Sequence, residues 1–457
     1  MSNQVQPASA THLPRELNPV FGFVVFNALS FQMILASPMI LYARGLGASA
    51  TVLGIIAGMM PLLVIFQIPA ARHVSRIGYK KFVLAGWSTR VVFIFGMALV
   101  PLASGILNPT TRLALILFLL FGFNLSRGIS SAAWLPWITT LVPSQLRGRY
   151  LGREAAFVNV SSFAAFLVAA FGLGSEPHPW QFSAIFVFSG LCGLLSLSYM
   201  KRIPDAEIPE QAKSGNEPVP WLEISRFAPF RKLLHMNIAW ALAVGGMSTF
   251  TVVFLKAETA MGEGEILLLT SIAFLGGLSS LWFLGSRLDH MGSKPALALS
   301  CFTWLAILVI WILLAGRVID PGVGLLLLLQ FLMGLGSSMV NMANTRLAMA
   351  VVPVMGRSHF FALYSVIGSL ALGLAPIVWG LLIDLFIDLK YVWHGFEFNR
   401  FTLFFIAVFV AFVITLRQVQ KLEEPQAADM ETLLRDILEQ SPLRIWLRFW
   451  PRNGGPN

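Results

Sequence analysis

The sequence predicts an all-α membrane protein of twelve transmembrane helices in two pseudo-symmetric six-helix bundles. Three observations predict it. Charged residues make up 12 % and apolar residues 56 % of the 457-residue chain, against about 25 % charged in a soluble protein. Apolar stretches long enough to cross a bilayer recur along almost the whole length. Two loop signatures of the first half return in the second. This composition excludes an ordinary water-soluble enzyme, and it excludes disorder, which needs low hydrophobicity and high charge.

A spanning helix needs roughly 20 apolar residues to cross about 30 Å of hydrocarbon. Apolar runs bounded by polar turns fall near 19–43, 50–71, 82–106, 112–141, 151–174, 180–200, 233–255, 264–286, 295–315, 321–350, 359–384 and 401–416, which makes twelve. Residues 1–18 form a polar N-terminus without the basic start, short apolar core and cleavage site of a signal peptide. The polar stretch 201–232 separates a bundle over 19–200 from one over 233–420. In the tail, 421–457, Leu433, Leu434, Ile437 and Leu438 share a helical face, and Trp446, Phe449 and Trp450 mix with Arg444, Arg448 and Arg452. That suits a helix lying on the inner leaflet, with a dock for a partner protein as the rival reading. Cys192 and Cys301 lie far apart inside apolar runs and read as packing residues.

Basic residues resist translocation. With the N-terminus inside, 23 of the 32 Lys and Arg fall on the cytoplasmic side, 6 on the other, and 3 (Arg90, Arg127 and Arg346) within spans. Both termini are therefore expected in the cytoplasm, and the chain in the plasma (inner) membrane. The net charge of +10 then faces an anionic inner leaflet and requires no nucleic acid.

After the second span comes Arg72-His-Val-Ser75-Arg76-Ile-Gly78-Tyr-Lys80-Lys81, and after the eighth Gly285-Ser-Arg287-Leu-Asp289-His-Met-Gly292-Ser-Lys294, with Gly78 and Gly292 214 positions apart. After the fourth span stand Pro143 and Arg147, and after the tenth Pro353 and Arg357, both pairs 210 apart. Signatures recurring in order at nearly one offset indicate parallel structural repeats. On these residues the chain resembles the major facilitator superfamily of secondary transporters, across about residues 15–420. Residues 285–294 match that family's loop signature Gly-x-x-x-Asp-x-x-Gly-x-Lys/Arg in full. In the first half Gly78, Lys80 and Lys81 match, whereas Ala71 and Ser75 replace the first Gly and the Asp. The resemblance implies a gate. Asp289 would latch the halves on the cytoplasmic side against Arg147, Arg149 and Arg153, at the start of the fifth helix, with Arg357 as the second-half counterpart. The rival reading is a tight turn carrying positive-inside charge.

An ionisable group inside a span is costly unless it faces a cavity or a partner. Arg127 is the deepest, 20 residues before Arg147 and 15 after Arg112. Asn124, Arg127 and Ser131 share a helical face. This run resembles the family's fourth-helix Arg motif, with Ser130 and Ser131 where its Gln and Gly stand. Arg90 either faces the cavity or snorkels to the inner surface. Arg346 reads as snorkelling, with Asn341 and Asn344 keeping a cavity role open. On the family plan, Asn27, Ser30 and Gln32 with Gln67, and Asn237, Ser248 and Thr249 with Gln330, line a midplane cavity; for each the rival is an interhelical hydrogen bond. A polar, cationic cavity favours an anionic or hydroxylated solute over a lipophilic cation.

No Asp or Glu is central in a span: Glu154, Glu258, Glu263, Glu265, Asp384 and Asp388 sit near ends. A proton-coupled carrier usually needs a buried carboxylate or His titrating near ambient pH. The family's antiporter signature, a Gly-Pro pair in the fifth helix, is missing from 158–174. On the eleventh helix Gly368, Gly373, Pro376 and Gly380 form a small-residue face suited to close packing. No phosphate-cradling Gly-rich loop with Lys appears, so ATP is not expected as the energy source, and no metal or other cofactor is expected. The reading is a monomeric secondary transporter, not an enzyme, that moves a small polar or anionic solute by alternating access, with a proton left open as coupling ion. Its rivals are proton-driven efflux of amphipathic compounds and a non-transporting assembly or sensor protein on the same fold.

Overall fold

The structure, a computed structural model, describes residues 14–143, 146–207, 227–284, 292–351 and 357–422. Among these residues twelve helical spans are long and apolar enough to cross a membrane: Asn18–Gly45, Ala50–Ile77, Tyr79–Gly105, Pro109–Leu141, Arg147–Leu173, Pro179–Arg202, Ala228–Glu258, Glu263–Trp282, Ser293–Ala315, Val323–Ala348, Leu363–Leu385 and Arg400–Gln420. Each falls where an apolar run predicts one. Local chemistry sets several ends. Asn108 caps the fourth span by accepting from the Thr111 amide at 2.7 Å, and Asn399 caps the twelfth by accepting from the Phe401 and Thr402 amides at 3.0 Å. Gly78 (φ 91°) and Gly292 (φ 87°) precede the third and ninth spans in a conformation that favours glycine. The two loop signatures therefore share a backbone turn as well as residues.

Three spans are interrupted where the sequence reads as continuous. The first breaks at Ala36, extended at φ −112° and ψ −157°, just before Ser37 and Pro38. The second tightens to a 3₁₀ turn, Leu63–Phe66, beginning two residues after Pro61; proline lacks the amide the helix needs and crowds the preceding turn. The seventh breaks at Gly245 and Gly246, the latter left-handed at φ 91°. Between the last two spans an antiparallel hairpin pairs Lys390–Trp393 with Phe396–Asn399. His394 (φ 49°) and Gly395 (φ 84°) make its two-residue turn, the double left-handed geometry that matches strand twist.

In the first bundle the first span packs on the fifth and sixth, and the third on the fourth and sixth; in the second, the seventh packs on the eleventh and twelfth, and the ninth on the tenth and twelfth. Large aromatics fill the second bundle, with Trp304 stacked on Phe412 at 5.0 Å and Trp311 on Phe405 at 5.5 Å. Two long seams run between the bundles: the second span on the eleventh, and the fifth on the eighth. The first is built on small residues. A Cβ on Gly54 would strike the carbonyl oxygen of Pro376, one on Gly58 that of Gly373, and one on Gly380 that of Ala50. In the other seam the Gly264 amide donates to the Gly174 carbonyl at 2.6 Å, and Phe166 meets Phe274 edge-on at 5.1 Å.

The end of the molecule that carries Asn18, Gln420 and the last residues of the even-numbered spans is the terminus end; the other is the far end. At the far end Ser37–Gly45 packs on Met247–Glu258. Towards the terminus end Asn18–Leu35 packs instead on the fifth and sixth spans, and Ala228–Val244 on the eleventh and twelfth. The bundles thus meet at the far end, while towards the other the first and seventh spans pack within their own bundles, and the space between the bundles is called the cleft.

Candidate functional site

The fourth span carries the site. Phe118, Phe121, Ile129 and Leu135 are exposed along one of its faces, as lipid-facing residues are. At 100° per residue Arg127 lies on the opposite face. It is half-buried there. Among the described residues its guanidinium has no hydrogen-bond or ion-pair partner. Gly128 follows, and a Cβ on it would strike the carbonyl oxygen of Leu63. This glycine lets the 3₁₀ turn of the second span close down beside Arg127.

Arg90 neither snorkels nor stands free in the cleft. It is 4 % exposed, and its guanidinium lies 4.7 Å from the Trp87 ring and 4.7 Å from the Phe123 ring. Its Nε and Nη1 are buried without partners. The charge that acts on it is that of Arg127, of like sign. Among the described residues no carboxylate offsets either guanidinium. Trp87 in turn donates from Nε1 to Asn27 Oδ1 at 3.2 Å, which ties the first span to this wall. Asn124, 1 % exposed, donates to the Leu120 carbonyl at 2.9 Å and leaves Oδ1 buried without a partner. Asn27, Arg90, Asn124 and Arg127 are therefore brought together. Gln32 is committed elsewhere, donating to Ser162 Oγ at 2.8 Å, which is the interhelical role.

The second bundle contributes a neutral cluster. Asn237 Nδ2 donates to Asn344 Oδ1 at 3.2 Å and the Asn344 amide donates back to Asn237 Oδ1; Tyr364 adds its hydroxyl to the same oxygen at 3.2 Å. Tyr364 was not legible in the sequence, where a tyrosine in an apolar run reads as core. Gln330 is 4 % exposed with Nε2 unpartnered. Thr249 is buried and Ser248 exposed.

At the terminus end Asp289 and Gly285 lie outside the described residues, as does the side chain of Arg357, the first residue of its helix. Arg147 donates from Nη2 to the Thr139 carbonyl at 3.0 Å. Arg153 lies 4.6 Å over Phe21 and 5.6 Å over Phe157, and Arg149 is also engaged. Lys294 donates to the Leu422 carbonyl at 2.9 Å. Lys81 is exposed and Lys80 half-buried. At the far end the sequence reading missed Asp384. Its carboxylate, on the eleventh span, accepts from the Ala50 amide at 2.9 Å, the Thr51 amide at 2.8 Å and the Thr51 hydroxyl at 2.6 Å. It caps the N-terminus of the second span from the other bundle. Among the described residues no group of three His, Cys, Asp or Glu gathers as a metal site.

Solved structures share this architecture. A mutant of the nucleoside transporter NupG superimposes with a TM-score of 0.66 at 11 % identity, over 88 % of this chain and 99 % of its own. A D-xylose-proton symporter gives 0.67 at 13 %, over 90 % and 97 %. A POT family transporter in complex with 5-aminolevulinic acid gives 0.66 at 14 %, over 92 % and 99 %. No curated protein matches the chain in sequence. The Major Facilitator Superfamily profile matches residues 20–259 and 247–453. With that match running almost from end to end over twelve spans in two bundles, the chain belongs to the major facilitator superfamily.

Proposed function

We propose that this integral membrane protein is a secondary transporter of a small anionic or polar solute, bound between the bundles and released by alternating closure of the two ends. The observation that carries the reading is the pair Arg127 and Arg90, both cationic and neither offset by a carboxylate among the described residues. Paired guanidiniums offer planar, bidentate donors for carboxylate or phosphate oxygens, while the amides of Asn237 and Asn344 suit a neutral polar portion of the solute. The surplus of Lys and Arg on the even-numbered loops supports a cytoplasmic terminus end in the inner membrane.

Solute affinity of the purified protein in liposomes tests the role of Arg127. Arg127→Gln is expected to weaken binding by about 10- to 100-fold, the worth of a charge-assisted bond, and Arg127→Lys by about tenfold through loss of the fork. Unchanged affinity in both overturns the reading. The immediate surroundings of Arg127 contain no described carboxylate or histidine, so solute flux is expected to ignore an imposed proton gradient. Uphill uptake driven by that gradient would instead favour proton coupling.

A further inference from the structure

From the two unoffset arginines we infer that the transporter is an obligatory anion exchanger: the bundles reorient with an anion bound and do not return empty. This rests on the anion reading above. Arg127 is half-buried, whereas Arg90 is 4 % exposed, with Nε and Nη1 hydrogen-bonded to nothing. Arg90 is held by the faces of Trp87 and Phe123, which tolerate a cation without neutralising it. To change its open end the protein passes through a state closed at both. Closure withdraws Arg127 from solvent and leaves two like charges, the one acting on the other, in a dry interior, where uncompensated charge is most costly. No described carboxylate stands ready to take the place of that solvent.

An anion bound across the two guanidiniums removes this barrier. The loaded protein closes and the empty one is held open, which defines exchange. A group carrying about two negative charges, such as a phosphate monoester or a dicarboxylate, offsets both cations. Among its described residues the second bundle offers the neutral Asn237, Asn344 and Tyr364 cluster, which adds no compensating charge.

The test uses the full chain in liposomes, with voltage clamped by valinomycin and equal potassium on both sides. Radiolabelled phosphate, succinate and glucose 6-phosphate serve as separate probes, and the lumen holds either the same unlabelled anion or potassium HEPES alone. For the probe that moves, uptake into anion-loaded liposomes is expected to exceed uptake into HEPES-loaded ones by at least tenfold. Arg127→Gln halves the bare charge, so its ratio should fall towards one; Arg127→Lys keeps the charge and should keep the ratio. Equal wild-type uptake under both loadings overturns the exchange inference while leaving anion transport standing. If none of the probes enters under either loading, and none raises the protein's thermal stability, the anion reading itself falls and exchange falls with it.

Discussion

Arg90 poses the sharpest question at the scale of single residues, because a cation this deep with two unpartnered nitrogens costs stability unless a ligand uses it. A structural arginine would hold the fold together, and replacing it would loosen the protein. A residue kept for binding behaves the other way. Arg90→Met matches its length and keeps the contacts to Trp87 and Phe123 while removing the charge. We expect this variant to be more stable than the wild type when empty, by about 1–4 kcal/mol, and to lose the stabilisation that the transported solute gives the wild type. Thermal unfolding with and without solute reads both. A drop in empty-state stability would make Arg90 a packing residue. Arg90 and Arg127 were legible in the sequence because a charge inside an apolar run has few explanations. Tyr364 and Gly128 were not, since tyrosine and glycine are ordinary in spanning helices and only their neighbours, Asn237 and the Leu63 carbonyl, give them a role.

Among the elements, the broken helices and the seam between the second and eleventh spans decide how the two ends open. The twelve runs were legible because hydropathy alone marks a span, but the interruptions at Ala36, Leu63–Phe66 and Gly245–Gly246 were not. Proline and glycine are tolerated in spanning helices when neighbours satisfy the freed backbone groups, so the residues announce an interruption only together with their packing. The small-residue face of the eleventh helix was readable from spacing; its partner, the face of Gly54 and Gly58, needed the fold. Asp384 reads in sequence as a carboxylate near a loop. In the structure it accepts three hydrogen bonds from the start of the second span, at a helix N-terminus that favours an anion. These bonds cross between bundles, so opening the far end must break them. Asp384→Ala is expected to remove about 1.5–3 kcal/mol from the closed far end, raising the far-end-open population by about 10- to 100-fold. Spin labels on cysteines at Gly45 and Ala260, both exposed at that end, report it as a longer inter-label distance. An unchanged distance distribution would make Asp384 a helix cap without a gating role.

For the molecule as a whole, the two halves share a scaffold and divide the chemistry. The offset of 214 shared by Gly78 and Gly292 places Trp304 opposite Arg90 in the repeat, and the offset of 210 shared by Pro143 and Pro353 places Ser337 opposite Arg127. Neither Arg90 nor Arg127 therefore has a cationic counterpart in the second half, whose span cation, Arg346, stands at an unrelated position. On the proposed function one half grips charge and the other offers amides, which orients a solute between the bundles and makes access to Arg127 a reading of which end is open. The structure joins the bundles at the far end, through Ser37–Gly45 on Met247–Glu258 and through Asp384. A cysteine placed by Ser131→Cys, one turn from Arg127 on the inward side of the fourth span, samples this access, and the native Cys192 and Cys301 contribute little background because both are buried. With the terminus end in the cytoplasm, a membrane-impermeant thiol reagent should label Ser131→Cys at least tenfold faster in inside-out vesicles than in right-side-out ones. Adding saturating solute should slow that labelling, since the solute occupies the cleft in front of Arg127. Adding Asp384→Ala should narrow the difference between the two orientations by releasing the far end. Faster labelling in right-side-out vesicles would reverse the assigned sidedness, and labelling indifferent to orientation, solute and Asp384 would remove Arg127 from the transport path.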